Sequence, residues 1–166
     1  LTSITIPNSV TEIGDGAFSW CKKLTGITIP NSVTKIGKRA FERCINLTSV
    51  TIPERVTEID GWCCFGLTSI TTIPYSVTKI GEGAFEGCIN LTSVTIPESV
   101  TEIADFTFSG CSALTGVIIP ESVEAIGRLA FSNCKALTSV TIPNSVTEIG
   151  NRAFQYCRSL KSVVIP

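Results

Sequence analysis

The 166-residue chain contains no histidine. That removes the side chain best suited to general acid–base work near neutral pH, and with it every Ser-His or Cys-His nucleophile pair. No glycine-rich phosphate loop follows a strand and opens a long helix. Carboxylates recur at positions that line a surface rather than converge, so no catalytic residue is expected. Charge is sparse: 16% of residues, thirteen Lys and Arg against fourteen Asp and Glu, for a net charge of −1. No clustered basic face is visible, which argues against a nucleic-acid partner. No apolar run reaches the length of a membrane span, and no signal peptide opens the chain. Closely spaced Cys-x-x-Cys pairs are missing too, so neither a metal nor another cofactor is expected.

What is present is one unit written repeatedly. Leu137 to Ser159, LTSVTIPNSVTEIGNRAFQYCRS, has near-copies beginning at Leu1, Leu24, Leu47, Leu67, Leu91 and Leu114, with a final strand from Leu160. The steps are 23, 23, 20, 24, 23, 23 and 23 residues, so one copy is damaged. Three residues are missing between Asp60 and Leu67, and one is added at Ile70-Thr71-Thr72-Ile73. All eight prolines close the same segment of the unit. A fixed period of this length signals a solenoid, in which one turn cannot bury its apolar face without its neighbours. Residues 32–59 and 76–103 are nearly identical, as if a two-turn block had been duplicated.

Within each copy, Ser3-Ile4-Thr5-Ile6 alternates polar and apolar, which predicts a half-buried strand. Its equivalents always run the same way and are expected to pair as one parallel sheet. Pro7 has no N–H and ends the strand. Val10 and Ile13 point inward through a second, shorter extended stretch. Gly14 and its copies suit an unusual backbone conformation or a close approach, although Asp60 and Ala104 replace glycine in two copies. Ala17-Phe18-x-x-Cys21 then reads as a helical or tight turn whose phenylalanine plugs the core.

The pattern L-x-x-[IV]-x-I-P-x-S-V-x-x-I-G-x-x-A-F-x-x-C, matched along the whole chain, resembles the BspA-like leucine-rich repeat family. The resemblance implies a leucine-rich-repeat solenoid forming a right-handed superhelix. One face would carry a parallel β-sheet, and the other short strands and turns. Residues 1–166 would form a single domain, a fragment of a longer array. The implied function is a non-catalytic protein-binding or adhesion module of a cell-surface or secreted protein. Its ligand would be a host matrix or cell-surface protein. The alternatives are a spacer that projects another domain and, more remotely, an ice-binding surface. Ordinary repeats at Leu1 and Ile165 imply exposed ends and end-to-end self-association.

The candidate binding surface is the outer face of the main sheet, where Thr28, Thr51, Thr95 and Thr141 repeat Thr5. Gly116 leaves a gap in this hydroxyl carpet, and Ile118 supplies an apolar anchor. The same pattern would also follow from β-propensity and solubility alone. Six cysteines share one repeat position: Cys21, Cys44, Cys88, Cys111, Cys134 and Cys157. Their parallel Cβ vectors point to buried unpaired thiols. Cys63 and Cys64 fall in the damaged copy. Glu12, Lys35, Glu58, Lys79, Glu102, Ala125 and Glu148 form a ladder of mostly alternating charge. It reads as mutual neutralisation, or else as a recognition stripe. Trp20, Trp62, Tyr75, Phe106 and Tyr156 lie off the core pattern, as edge packing or as interaction anchors. Asn46-Leu47-Thr48 and Asn90-Leu91-Thr92 match the glycosylation sequon, where a turn asparagine happens to precede Leu-Thr.

Overall fold

The computed structural model describes residues 2–47, 50–67 and 72–165. Leu1, Thr48, Pro166 and the Ile70-Thr71 half of the extra-residue segment lie outside the described residues. The chain winds as seven coils, which start at the leucines that open the repeats, and a closing strand follows Leu160. No helix is present among the described residues, so the Ala-Phe segment is a turn. Two rows of parallel strands run along the solenoid.

The first row is the expected half-buried one. Ser3 and Thr5 face out while Ile4 and Ile6 turn in, and Ser93–Thr95 and Ser139–Thr141 repeat that alternation. Among the described residues these strands pair two by two. Ser3–Thr5 pairs with Gly26–Thr28, Ser93–Thr95 with Gly116–Ile118, and Ser139–Thr141 with Ser162–Val164. Three residues per coil offer few ladder bonds, and the coil spacing is held elsewhere. The second row holds it better with only two residues per strand. Glu12–Ile13, Lys35–Ile36, Glu58–Ile59 and Lys79–Ile80 form one ladder, and Glu102–Ile103, Ala125–Ile126 and Glu148–Ile149 another.

The third tie is the six-residue turn. In coil 1, Ala17, Ser19 and Cys21 donate back to the carbonyls of Gly14, Gly16 and Phe18, which makes consecutive β-turns. The alternate N–H groups of Gly16, Phe18 and Trp20 donate forward to Lys38, Ala40 and Glu42 of coil 2. At the flanks of the second row the direction reverses: Thr34 and Gly37 of coil 2 donate back to Thr11 and Ile13 of coil 1. Two residues per turn sit at the third position of these β-turns with left-handed backbone, such as Gly16 (φ 62°) and Trp20 (φ 61°). The Gly14 column is therefore not the left-handed one. It answers to close approach: a Cβ on Gly150 would lie 2.5 Å from the Arg128 nitrogen, and one on Gly127 2.6 Å from that of Asp105.

The core repeats with the coils. In coil 6, Leu114, Ile119, Val123, Ile126, Ala130, Phe131 and Cys134 are all buried. Each such aliphatic or aromatic side chain contributes about 1.5–3 kcal/mol when removed from water. The phenylalanines stack face to face: Phe85, Phe108, Phe131 and Phe154 succeed one another at 5.4–5.5 Å between ring centroids. Phe18 stacks on Phe41 at 5.6 Å, and there the column stops. Cys64 fills the phenylalanine place in the damaged coil, because its N–H donates to Ala84 just as that of Phe41 donates to Cys63.

Candidate functional site

The outer face of the first row is uncharged at its centre. Thr28, Thr51, Thr95 and Thr141 are exposed there. Register places Ile118 directly beside Thr95 and Gly116 beside Ser93. Ile118 is 65% exposed, an apolar side chain standing in a rank of hydroxyls. Thr28 stands beside Thr5, and Thr141 beside Val164, with the Ser139–Thr141 strand also lying against Gly116–Ile118. On the other side of Thr95 lies a recess of about 250 Å³, walled by Ile73, Pro74, Tyr75 and Val94, with Glu54 at its rim. Tyr75 is 79% exposed. Sequence reasoning flagged Tyr75 but not the recess. Only the solenoid brings residues 73–75 against residues 93–95.

The turn edge has a different chemistry. Trp20, 56% exposed, carries the Lys22 ammonium 4.9 Å and the Arg43 guanidinium 5.7 Å from its ring centroid. Arg43 also lies over Phe65 at 4.7 Å. Trp62 rests on coil 4, where a Cβ on Gly83 would meet its Nε1 at 2.5 Å. Its indole N–H donates to Glu86 at 3.1 Å, and Lys38 and Arg39 stand over its ring at 5.1 and 5.7 Å. Burial raises the Glu86 carboxyl above the usual range, and the Trp62 bond opposes this. The expectation of no clustered basic face is thus corrected locally. Lys22, Lys38, Arg39 and Arg43 gather on one edge of coils 1 and 2, over the rings of Trp20, Trp62 and Phe65. The run KRAFER in coil 2 carried that signal.

The charge ladder forms in register, with Glu12, Lys35, Glu58 and Lys79 side by side. Lys35 reaches both Glu58 and Asp60 at 3.6 Å, and Asp60 followed by Glu58 raises its pKa. These groups are exposed, so they contribute little to stability. Among the described residues no other rung of the ladder, Lys79 and Glu102 included, forms an ion pair. The N–H groups of Gly37, Gly81, Gly127 and Gly150 reach the preceding coil's carbonyl at 2.7–2.8 Å. Asp60 reaches it at 3.0 Å, held by Lys35, whereas Ala104 makes no such bond. The Ala104 methyl stands where neighbouring coils leave no room for one.

The thiols have a role beyond filling space. All eight cysteines are unpaired, and Cys44, Cys88, Cys111 and Cys134 are fully buried. In coils 2, 4, 5, 6 and 7 the S–H donates to a carbonyl of the preceding coil, for example Cys44 to Phe18 at 3.0 Å, Cys111 to Phe85 at 3.2 Å and Cys134 to Phe108 at 3.2 Å. Burial pushes the Cys44 thiol up to about 11, and those of Cys88 and Cys111 well above their ordinary value. In the damaged coil the Cys63 and Cys64 sulfurs lie 3.4 Å apart, and that contact is the largest cause of the raised Cys64 pKa. The line of thiols, bonded to the coil before in five of the coils, forms a structural seam. No group of three or more potential metal ligands converges among the described residues, nor is any helix there long and apolar enough to cross a membrane.

Known proteins place this architecture. A leucine rich cell surface protein from Faecalibacterium prausnitzii A2-165 is 27% identical, with a TM-score of 0.70 over 99% of this chain and 59% of its own. A leucine-rich repeat protein from Bacteroides ovatus is 30% identical, with a TM-score of 0.67 over 98% of this chain and 55% of its own. The T. pallidum leucine rich repeat protein is 25% identical, with a TM-score of 0.65 over 96% of this chain and 78% of its own. The chain thus spans a little over half the length of the first two. No curated protein matches it. The model of the BspA type leucine rich repeat region, which describes six copies of the repeat, matches residues 1–75 and 63–166. With the repeat of that model running from end to end, the chain belongs to the BspA-type leucine-rich repeat family.

Proposed function

We propose that the chain is a protein-binding module, used for adhesion by a cell-surface or secreted protein. The ligand would be a matrix or cell-surface protein gripped by the outer face of the first row. The observation that carries this reading is Ile118 and the Tyr75 recess flanking Thr95, two apolar anchors amid hydroxyls. Protein interfaces combine such an apolar centre with a polar rim. Thr28, Thr51, Thr141 and the gap at Gly116 complete the face. The cell-surface relative from F. prausnitzii supports the location.

The test is capture of the 166-residue chain on immobilised matrix proteins. The T95R/T141R double variant places charges on either side of Ile118 and should abolish capture without lowering Tm. Capture that survives this change but is lost when Trp20 and Tyr156 are replaced would move the site to the turn edge. Absence of capture by the unaltered chain would favour a spacer.

A further inference from the structure

Four residues on the turn edge of coils 1 to 3 combine left-handed backbone with a bulky side chain. They are Trp20, Arg39, Arg43 and Trp62, with φ between 52° and 61°. In coil 4 both equivalent positions are glycine, Gly83 and Gly87, the residue this conformation favours. Strain alone does not single out this edge, since Leu129 and Arg152 share it. The cations do.

Lys22, Lys38, Arg39 and Arg43 are positioned by ring faces and not by carboxylates. None of them has an ion pair among the described residues. Three acids stand beside them, none in an ion pair with them. Glu86, within electrostatic reach of Arg43, accepts the Trp62 indole N–H. Asp15 accepts the Lys38 backbone N–H at 2.9 Å, and Glu42 accepts the Ser19 hydroxyl at 3.4 Å. Arg128 in coil 6 shows the contrast. It lies over Phe106 at 4.6 Å, yet Asp105 also holds its Nε at 3.4 Å. A cation fixed by a π-face keeps its full charge for an outside partner, whereas one fixed by a carboxylate does not.

We infer that the turn edge of coils 1 to 3 binds a sulfated polysaccharide. The guanidinium groups of Arg39 and Arg43 match oxyanions of tetrahedral shape and hold them with paired N–H donors. Successive coils are about 4.8 Å apart, close to the length of one sugar ring. Cations on neighbouring coils therefore meet neighbouring residues of a polysaccharide laid along the solenoid. Glu82 and Glu86 of coil 4 end the track by repulsion. Single-stranded nucleic acid fits less well, because it relies on free aromatic faces for base stacking. Here the protein's own cations cover those faces.

The experiment is binding of the whole chain to heparin across a salt series. The chain should be retained at low salt, and the triple variant K38Q/R39Q/R43Q should lose retention. Its slope of log affinity against log salt should fall by about two, as three cations cease to release counterions. A control triple, K35Q/R55Q/K79Q, removes the same charge outside the turn, from the second row (Lys35, Lys79) and from the corner after Pro53 (Arg55), and should bind as before. The R39G/R43G variant separates binding from folding. It relieves two strained positions, so it should lose binding while its Tm holds or rises. Equal loss in both triples would overturn the site, as would retention by none of the proteins. Equally tight binding of single-stranded DNA of matched charge would overturn the ligand class. None of these outcomes bears on the first-row face, whose ligand is tested with different variants.

Discussion

The damaged coil and the junction between coils 4 and 5 are both faults in the repeat, and they fail in opposite ways. At the damaged coil the phenylalanine column breaks, because Cys64 replaces the ring. The second-row ladder nevertheless runs straight through, from Lys35–Ile36 to Glu58–Ile59 to Lys79–Ile80. At the junction of coils 4 and 5 the ladder breaks, because Ala104 occupies a glycine place. The column runs through there, Phe108 stacking on Phe85 at 5.5 Å. The turn bonds persist at both: Phe41 donates to Cys63, and Phe85 to Thr107. Core stack and edge ladder are thus separate fastenings. The solenoid tolerates the loss of either one where the other and the turn survive.

The comparison breaks most severely if the surviving fastening is removed. Phe108→Ala should cost about 3–5 kcal/mol, and it acts where no second-row ladder compensates. In denaturant the two blocks should then unfold in separate transitions, as nearest-neighbour coupling in a repeat array requires. A single two-state transition would show that the turn bonds alone hold the junction. Gly127→Ala should reproduce the Ala104 fault one junction later. Its methyl meets the Asp105 nitrogen and Ala104 carbonyl carbon at 2.6–2.7 Å, and such overpacking costs about 1–3 kcal/mol. The reverse change, Ala104→Gly, should shift stability by less than about 1 kcal/mol, since regained bonds offset the freer unfolded chain. Amide exchange would check it: the N–H groups of Thr101 and position 104 should become protected.

Stability should also depend on pH. The folded Cys44 pKa, about 11, lies above its ordinary value of 9.0. The folded state therefore favours the protonated thiol. That stability is fully present below about pH 9 and declines as pH rises towards 11. Tm should fall gently over this window and less so in Cys44→Ala. A Tm independent of pH there would contradict a buried thiol column.

The architecture was legible because stacking repeats one decision per coil, so the period, the prolines and the Ile-x-Ile alternation reinforce one another. Inward and outward faces also followed from alternation, including the exposure of Ile118. What the sequence concealed were relations between coils. The left-handed positions were missed because attention fell on the Gly14 column. Yet Gly16, Gly66, Gly83, Gly87 and Gly110 mark two other columns. At the corners, Ser32, Ser76, Ser99, Ser122 and Ser145 each donate to a valine carbonyl of the coil before, at 2.6–2.8 Å, a bond between coils that no single repeat displays. The turn-edge cations were concealed because Trp20, Arg43 and Phe65 are far apart in sequence and meet only through the coil pitch.

The opposed directions of the backbone bonds have an electrical consequence. In an α-helix every N–H points the same way, and the peptide dipoles add to a partial charge at each end. Here the turn N–H groups point towards the next coil, while those of Thr34 and Gly37, with the Ser32 hydroxyl and the Cys44 thiol, point towards the previous one. The contributions oppose one another within each coil. Adding a coil therefore adds core and ladder without adding to a macrodipole. A solenoid of this kind can be lengthened by copying repeats, as the near-identity of residues 32–59 and 76–103 suggests has happened here, and no charge accumulates at its ends to limit the length.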